Sequence, residues 1–133
     1  MIPKDATGSA LDLARRVLAI EADAVRALIT RLDERFLAAV SLIRDCHGRV
    51  IVSGIGSSGH IARKIASTFA STGTPAYFVH SAEASHGDLG MIQRDDVFIA
   101  LSYSGRTDEL LAIVAPVRRQ GARMIAITGD SGS

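Results

Sequence analysis

Three aliphatic hydroxyls, a glycine and an arginine stand together in Ser102-Tyr103-Ser104-Gly105-Arg106-Thr107. The segment follows an apolar run, Val97 to Leu101, and precedes a stretch of helical spacing, Thr107 to Gln120. Backbone N–H groups at a helix start are free to bind an anion, and the helix dipole favours negative charge there. Capping that helix needs one side chain, Thr107 or Ser104. Three hydroxyls at one helix start suit the oxygens of a phosphate. Arg106 is a cation at a helix N-terminus, which is unfavourable unless an anion visits; taken alone, it reads as a solvated surface arginine rather than a direct phosphate contact.

A second loop, Gly54-Ile55-Gly56-Ser57-Ser58-Gly59, lies between a β-branched run and a helical stretch. It matches G-x-G-x-x-G, the dinucleotide fingerprint, in the right setting. A dinucleotide site also needs a carboxylate about 20 residues on, at the end of the next strand, to hold the ribose. That place carries Val79-His80-Ser81, and Glu83 falls later, inside a loop. A dinucleotide-binding domain is therefore the remote alternative. The plain alternative is a glycine turn required by tight strand-to-helix packing.

The elements that would position these loops follow from the pattern. Leu11, Ala14, Leu18, Ala22, Val25, Leu28, Leu32, Phe36, Ala39 and Ile43 recur by threes and fours, the period of an amphipathic helix. Asp33 can cap a new start, so the stretch predicts two helices within residues 8–47, parting near Leu32-Asp33 and ended by Gly48. Residues 49–53, 76–80, 97–101 and 124–128 read as strands, and Ile61–Ser71 and Thr107–Gln120 as the helices between them. Pro116 predicts a kink or break in the last helix. Strands alternating with helices give a three-layer, doubly wound parallel sheet over residues 48–133, of flavodoxin-like type, preceded by two N-terminal helices. Ligands of such sheets sit beyond the carboxyl ends of the strands, which selects the loops after the first three. The chain stops just after a strand, so a continuation in a parent protein is expected, with the sheet cut short at that edge.

Bulk properties fit one globular domain of 133 residues, with 47% hydrophobic and 5% aromatic residues and no Trp. A net charge of +1 gives no reason to expect nucleic acid or a membrane as partner. Cys46 is the one cysteine, which excludes an internal disulfide and a cysteine zinc site. No secretory signal opens the chain and no apolar run reaches membrane length, so a cytoplasmic protein is expected. The apolar stripe on residues 11–43 exceeds what one small sheet covers, which predicts a homo-oligomer, a dimer or tetramer.

Together the two loops describe a phosphate pocket without a nucleotide signature. Residues 50–129 resemble the sugar isomerase (SIS) domain, and within it the N-terminal part of the arabinose-5-phosphate isomerases. The resemblance rests on Gly54-Ile55-Gly56-x-Ser58-Gly59-His60, Ala70-Ser71-Thr72-Gly73-Thr74-Pro75, Phe78-Val79-His80, the long block Ala82 to Met91, and Ser102-x-Ser104-Gly105. It implies a reversible aldose–ketose conversion of D-arabinose 5-phosphate and D-ribulose 5-phosphate through an enediol, of the kind used in lipopolysaccharide biosynthesis, with no cofactor. It implies substrate contacts at Gly56, Ser58, Gly73, Thr74, Ser102, Ser104, Gly105 and Thr107, a base at Glu109 and a substrate-touching histidine at His86. From the residues alone, Glu109 reads equally as a first-turn carboxylate complementing the helix dipole, and His86 as a loop histidine. His80 matches a histidine able to take a divalent metal in relatives, with no metal required. Ser57 stands where the family carries a lysine, and serine offers only a short neutral hydroxyl in its place. Relatives also draw a glutamate and a histidine from chain beyond position 133, and many end in CBS domains, which these residues lack. A non-catalytic phosphosugar-binding module is therefore the alternative to an isomerase.

Overall fold

The computed structural model describes residues 4–81, 88–130 and 132. The chain divides into two compact units, residues 1–38 and 39–133. In the first, helix α1 spans Lys4–Ala27. It begins earlier than the apolar stripe predicts, because amphipathic spacing marks where a helix needs a partner rather than where it starts. A short 3₁₀ turn, Ile29–Arg31, interrupts the stripe, and α2 follows over Glu34–Arg44. The break falls where Asp33 predicts it. Asp33 Oδ1 accepts the Arg35 N–H at 2.9 Å, and the Asp33 carbonyl accepts the Phe36 N–H at 3.0 Å. The apolar residues Leu11, Leu18, Val25 and Leu32 are all exposed.

The second unit is a parallel sheet of four strands: β1 (Val50–Gly54), β2 (Ala76–Val79), β3 (Val97–Ser102) and β4 (Arg123–Thr128). Their spatial order is β2-β1-β3-β4. Val52 pairs with Phe78 on one side and with Ile99 on the other, and Ile99 pairs with Ile125. Helix α3 (Gly56–Ser71) joins β1 to β2, and α4 (Asp108–Arg119) joins β3 to β4. The direction of winding reverses at β1 and β3, the two strands buried along their whole length.

Alternation along these strands sorts the core into two layers. Val50, Val52, Val97, Ile99 and Leu101 pack with Ala62 and Ala66 of α3. Ile51, Val79, Phe98 and Ala100 pack with Leu110, Ile113 and Val117 of α4. Ile51, Phe98 and Ile113 are fully buried, and each such side chain stabilises the fold by about 1.5–3 kcal/mol. That packing carries α4 through Pro116, which sits inside the helix without ending it. Of the kink or break expected there, a break does not occur, because Ile113 and Val117 on either side are pinned to the sheet.

Gly48 also differs from expectation. Helix α2 ends at Arg44, four residues before it. A Cβ at Gly48 would strike the Asp96 carboxylate and the Asp95 carbonyl. Asp96 is buried and accepts the backbone N–H groups of Arg49 and Gln93, both at 2.7 Å. The glycine thus makes room for a carboxylate clamp that ties the chain before β1 to the chain before β3.

Candidate functional site

The carboxyl ends of the strands gather the loops that the sequence singled out. After β1, each glycine has its own reason. Gly56 takes φ +57°, the left-handed region that favours glycine. A Cβ at Gly54 would lie 2.9 Å from the Ser58 carbonyl oxygen, and one at Gly59 would lie 2.8 Å from that of Gly54. The pattern serves a tight strand-to-helix turn, as its plain reading expects. Ile55 precedes α3 and supplies no side-chain cap.

After β3, the hydroxyls are tied to one another. Ser102 Oγ and Thr107 Oγ1 lie 2.8 Å apart, and Ser102 Oγ also accepts the Gly105 N–H at 3.0 Å. Gly105 permits the turn with φ +66°. Ser104 Oγ accepts the Arg106 N–H at 3.2 Å. Thr107 precedes the first residue of α4, yet its side chain makes no cap. Its hydroxyl goes to Ser102 instead, which leaves the first N–H groups of α4 without a side-chain acceptor among the described residues. The simple capping role that the sequence allowed for Thr107 is thereby excluded.

A cavity of about 460 Å³ opens between the two loops, lined by Ser57, Ser58, Ile61, Leu101, Ser102, Tyr103, Ile127, Thr128 and Gly129. It joins Ser57 and Ser58 of the first loop to Ser102 of the second. Sequence reasoning missed its third wall, at the end of β4. Parallel pairing of β4 with β3 brings Thr128 level with Ser102, and the Gly129 N–H donates to the Tyr103 carbonyl at 3.0 Å. A Cβ at Gly129 would meet that carbonyl at 3.0 Å and the Tyr103 ring at 3.1 Å. The available signal was the strand direction: a parallel β4 must end on the same edge as β3.

Other predicted site residues fall elsewhere. Gly73 and Thr74 lie between the end of α3 and the start of β2, on the amino edge of the sheet, and are not brought together with the two loops. Gly73, at φ +96°, and Thr74 donate their N–H groups to the Ala70 and Phe69 carbonyls, which ends α3. Glu109 lies exposed on the first turn of α4 and does not line the 460 Å³ cavity. His80 follows β2 on the carboxyl edge, in a separate cavity of about 210 Å³ with Gly56, Gly59, His60, Arg63 and Phe78. Arg63 stacks over the Phe78 ring at 4.0 Å, and Phe78 meets His80 edge-on at 6.2 Å. His86 lies outside the described residues. Among the described residues no group of three metal-ligating side chains assembles, and no helix is long and apolar enough to cross a membrane.

A doubly wound parallel sheet with hydroxyl-rich loops at its switch point defines the class, and comparison with known proteins agrees. Residues 42–133 match the SIS domain family, and the chain belongs to it. It is 49% identical over 120 residues to arabinose 5-phosphate isomerase KdsD of Pseudomonas aeruginosa, covering 90% of this chain and 37% of that protein. It is likewise 49% identical over 123 residues to arabinose 5-phosphate isomerase GutQ of Escherichia coli K12, covering 92% of this chain and 38% of the relative. The chain thus spans a little over a third of the length of these curated relatives. Among solved structures, the E. coli CFT073 protein c3406 in complex with arabinose 5-phosphate superposes with a TM-score of 0.89 at 41% identity, over 100% of this chain and 69% of the other.

Proposed function

We propose that this domain holds a sugar phosphate by its phosphate group in the loop Ser102 to Thr107. We further propose that it serves an aldose–ketose isomerisation, D-arabinose 5-phosphate to D-ribulose 5-phosphate. One observation carries the reading: Thr107 turns its hydroxyl to Ser102 rather than to its own helix. An uncapped helix start ringed by hydroxyls is a site built for an anion. The relatives named as arabinose 5-phosphate isomerases, and the similar structure in complex with arabinose 5-phosphate, support this sugar.

The chemistry moves a proton from C2 to C1 of the sugar while a hydroxyl proton passes from O2 to O1, through an enediol. Glu109, two residues beyond the loop, takes the role of the base. His86 donates to the substrate oxygens as charge develops on them. Ser57, on the cavity wall, contributes a neutral hydroxyl. Gly56, Ser58, Ser102, Ser104, Gly105 and Thr107 complete the binding surface within one copy of the chain.

A second reading, phosphosugar binding without turnover, is favoured by the neutral Ser57 and by the position of Glu109 outside the cavity wall. Incubation with arabinose 5-phosphate, with ribulose 5-phosphate as the readout, separates the two. We expect turnover by the unmodified protein and its loss in Glu109→Gln with binding retained. Binding without turnover, in the unmodified protein and in Ser57→Lys alike, would establish the second reading. The exposed apolar residues Leu11, Leu18 and Val25 of α1 support assembly with a second copy of the chain, which light scattering tests: a monomer at high concentration contradicts it.

A further inference from the structure

A phosphate monoester carries between one and two negative charges near neutral pH. Backbone N–H groups and hydroxyls answer that charge only with dipoles, and a strong site adds a cation. None of the described residues lining the 460 Å³ cavity is charged. A second cavity, of about 340 Å³, shares Tyr103 and Gly129 with it and adds Ser104, Arg106 and Asp130. Arg106 is therefore the cation at this edge of the phosphate loop among the residues lining the two cavities.

Its backbone holds it on the loop itself, through the N–H donated to Ser104 Oγ at 3.2 Å. Its side chain is held loosely. Arg106 Nη2 stands 3.9 Å from Asp130 Oδ2, and the two side chains are 76% and 55% exposed. An ion pair that long and that exposed stabilises by no more than about 1 kcal/mol. Asp130 is also engaged elsewhere: its Oδ1 accepts the Gly132 N–H at 2.9 Å. Arg106 thus stands two residues before the first residue of α4, and its guanidinium is tethered by a contact it loses at little cost.

We propose that Arg106 is the phosphate-binding cation of this site, and that Asp130 holds it aside until a phosphosugar arrives. The proposal rests on the phosphosugar reading and adds to it the residue that supplies charge. On binding, the guanidinium leaves Asp130 and closes over the phosphate held by Ser104 and the α4 N-terminus. A planar fork fits two phosphate oxygens at once, which a lysine in the same place does not.

The test is the affinity of the purified protein for arabinose 5-phosphate, by titration calorimetry, in the unmodified protein and in Arg106→Gln, Arg106→Lys and Asp130→Asn. Loss of a hydrogen-bonded charge predicts a drop of about tenfold to a hundredfold in Arg106→Gln. Arg106→Lys falls between. Asp130→Asn binds tighter, by about two- to fivefold, since the competing carboxylate is gone. Inorganic phosphate as competitor weakens in parallel with the sugar phosphate, because the lost contact is to the phosphate group and not to the sugar. Ser57→Lys, which puts a charge on the opposite cavity wall, restores affinity to Arg106→Gln. Binding by the unmodified protein with Arg106→Gln within twofold of it overturns the role of Arg106 and leaves the phosphosugar reading standing. Absence of binding by the unmodified protein overturns that reading, and the inference with it. Unchanged affinity in Asp130→Asn overturns the holding role of Asp130.

Discussion

Replacing Thr107 by Val keeps the branched shape and removes one hydroxyl. In the free protein that hydroxyl makes a 2.8 Å hydrogen bond to Ser102 Oγ, and it does not cap α4. A hydrogen bond between neutral groups contributes about 0.5–1.5 kcal/mol net. The two-layer core is untouched, so the variant folds with a loss of that size. The effect on ligand is larger, because a hydrogen bond to a charged group contributes about 1.5–3 kcal/mol. One lost hydroxyl then costs about tenfold to a hundredfold in affinity for arabinose 5-phosphate. Adding Ser104→Ala removes a second hydroxyl donor and carries the double variant beyond a hundredfold, to no measurable binding at millimolar ligand. Thermal melting of each variant, followed by calorimetric titration, separates the two effects. A folded double variant that binds within threefold of the unmodified protein refutes the assignment of this loop to phosphate.

Other expectations follow from particular contacts. Asp96→Ala removes a buried carboxylate that accepts the N–H groups of Arg49 and Gln93, and at about 1.5–3 kcal/mol for a hydrogen bond to a charged group should cost a few kcal/mol in urea unfolding. Gly129→Ala puts a methyl 3.0 Å from the Tyr103 carbonyl and 3.1 Å from its ring, so the cavity wall must shift and phosphosugar affinity should fall; an unchanged affinity counts against that wall. Burial raises the Tyr77 phenol above its ordinary value of 10.0, and its hydroxyl is buried without a hydrogen-bond partner among the described residues. A raised folded value means that stability is complete below about pH 10 and is lost as pH rises through the folded value. Tyr77→Phe should therefore be as stable as the parent at pH 8 or more so, and should lose less stability between pH 8 and 11 in denaturant melts. Parallel losses in the two proteins contradict this.

The strands were legible because β1 and β3 are buried on both faces, which demands continuous apolar runs such as Val50-Ile51-Val52. The glycine loop was legible for the same kind of reason: Gly54, Gly56 and Gly59 each meet a steric demand that other residues fail. Helix ends were less so. Pro116 signals a break by its own chemistry, but the anchoring of Ile113 and Val117 lies in the sheet and not in the local sequence. The Ser102–Thr107 hydrogen bond was hidden because a threonine before a helix looks the same whether or not it caps. Gly73 and Thr74 entered the site by resemblance alone; the topology puts the end of α3 on the amino edge, away from the loops after β1 and β3 of the same chain. Thr128 and Gly129 were not legible as site residues, because only the pairing of β4 with β3 brings its end to the same cavity.

The most direct measurement is a crystal structure of the protein soaked with arabinose 5-phosphate. The phosphate should lie at the N-terminus of α4, with its oxygens within about 3 Å of the Ser104 and Thr107 hydroxyls and the sugar reaching into the cavity walled by Ser57, Tyr103 and Gly129. A phosphate bound instead beside His60, Arg63 and His80, with the Ser102 to Thr107 loop empty, would contradict the account.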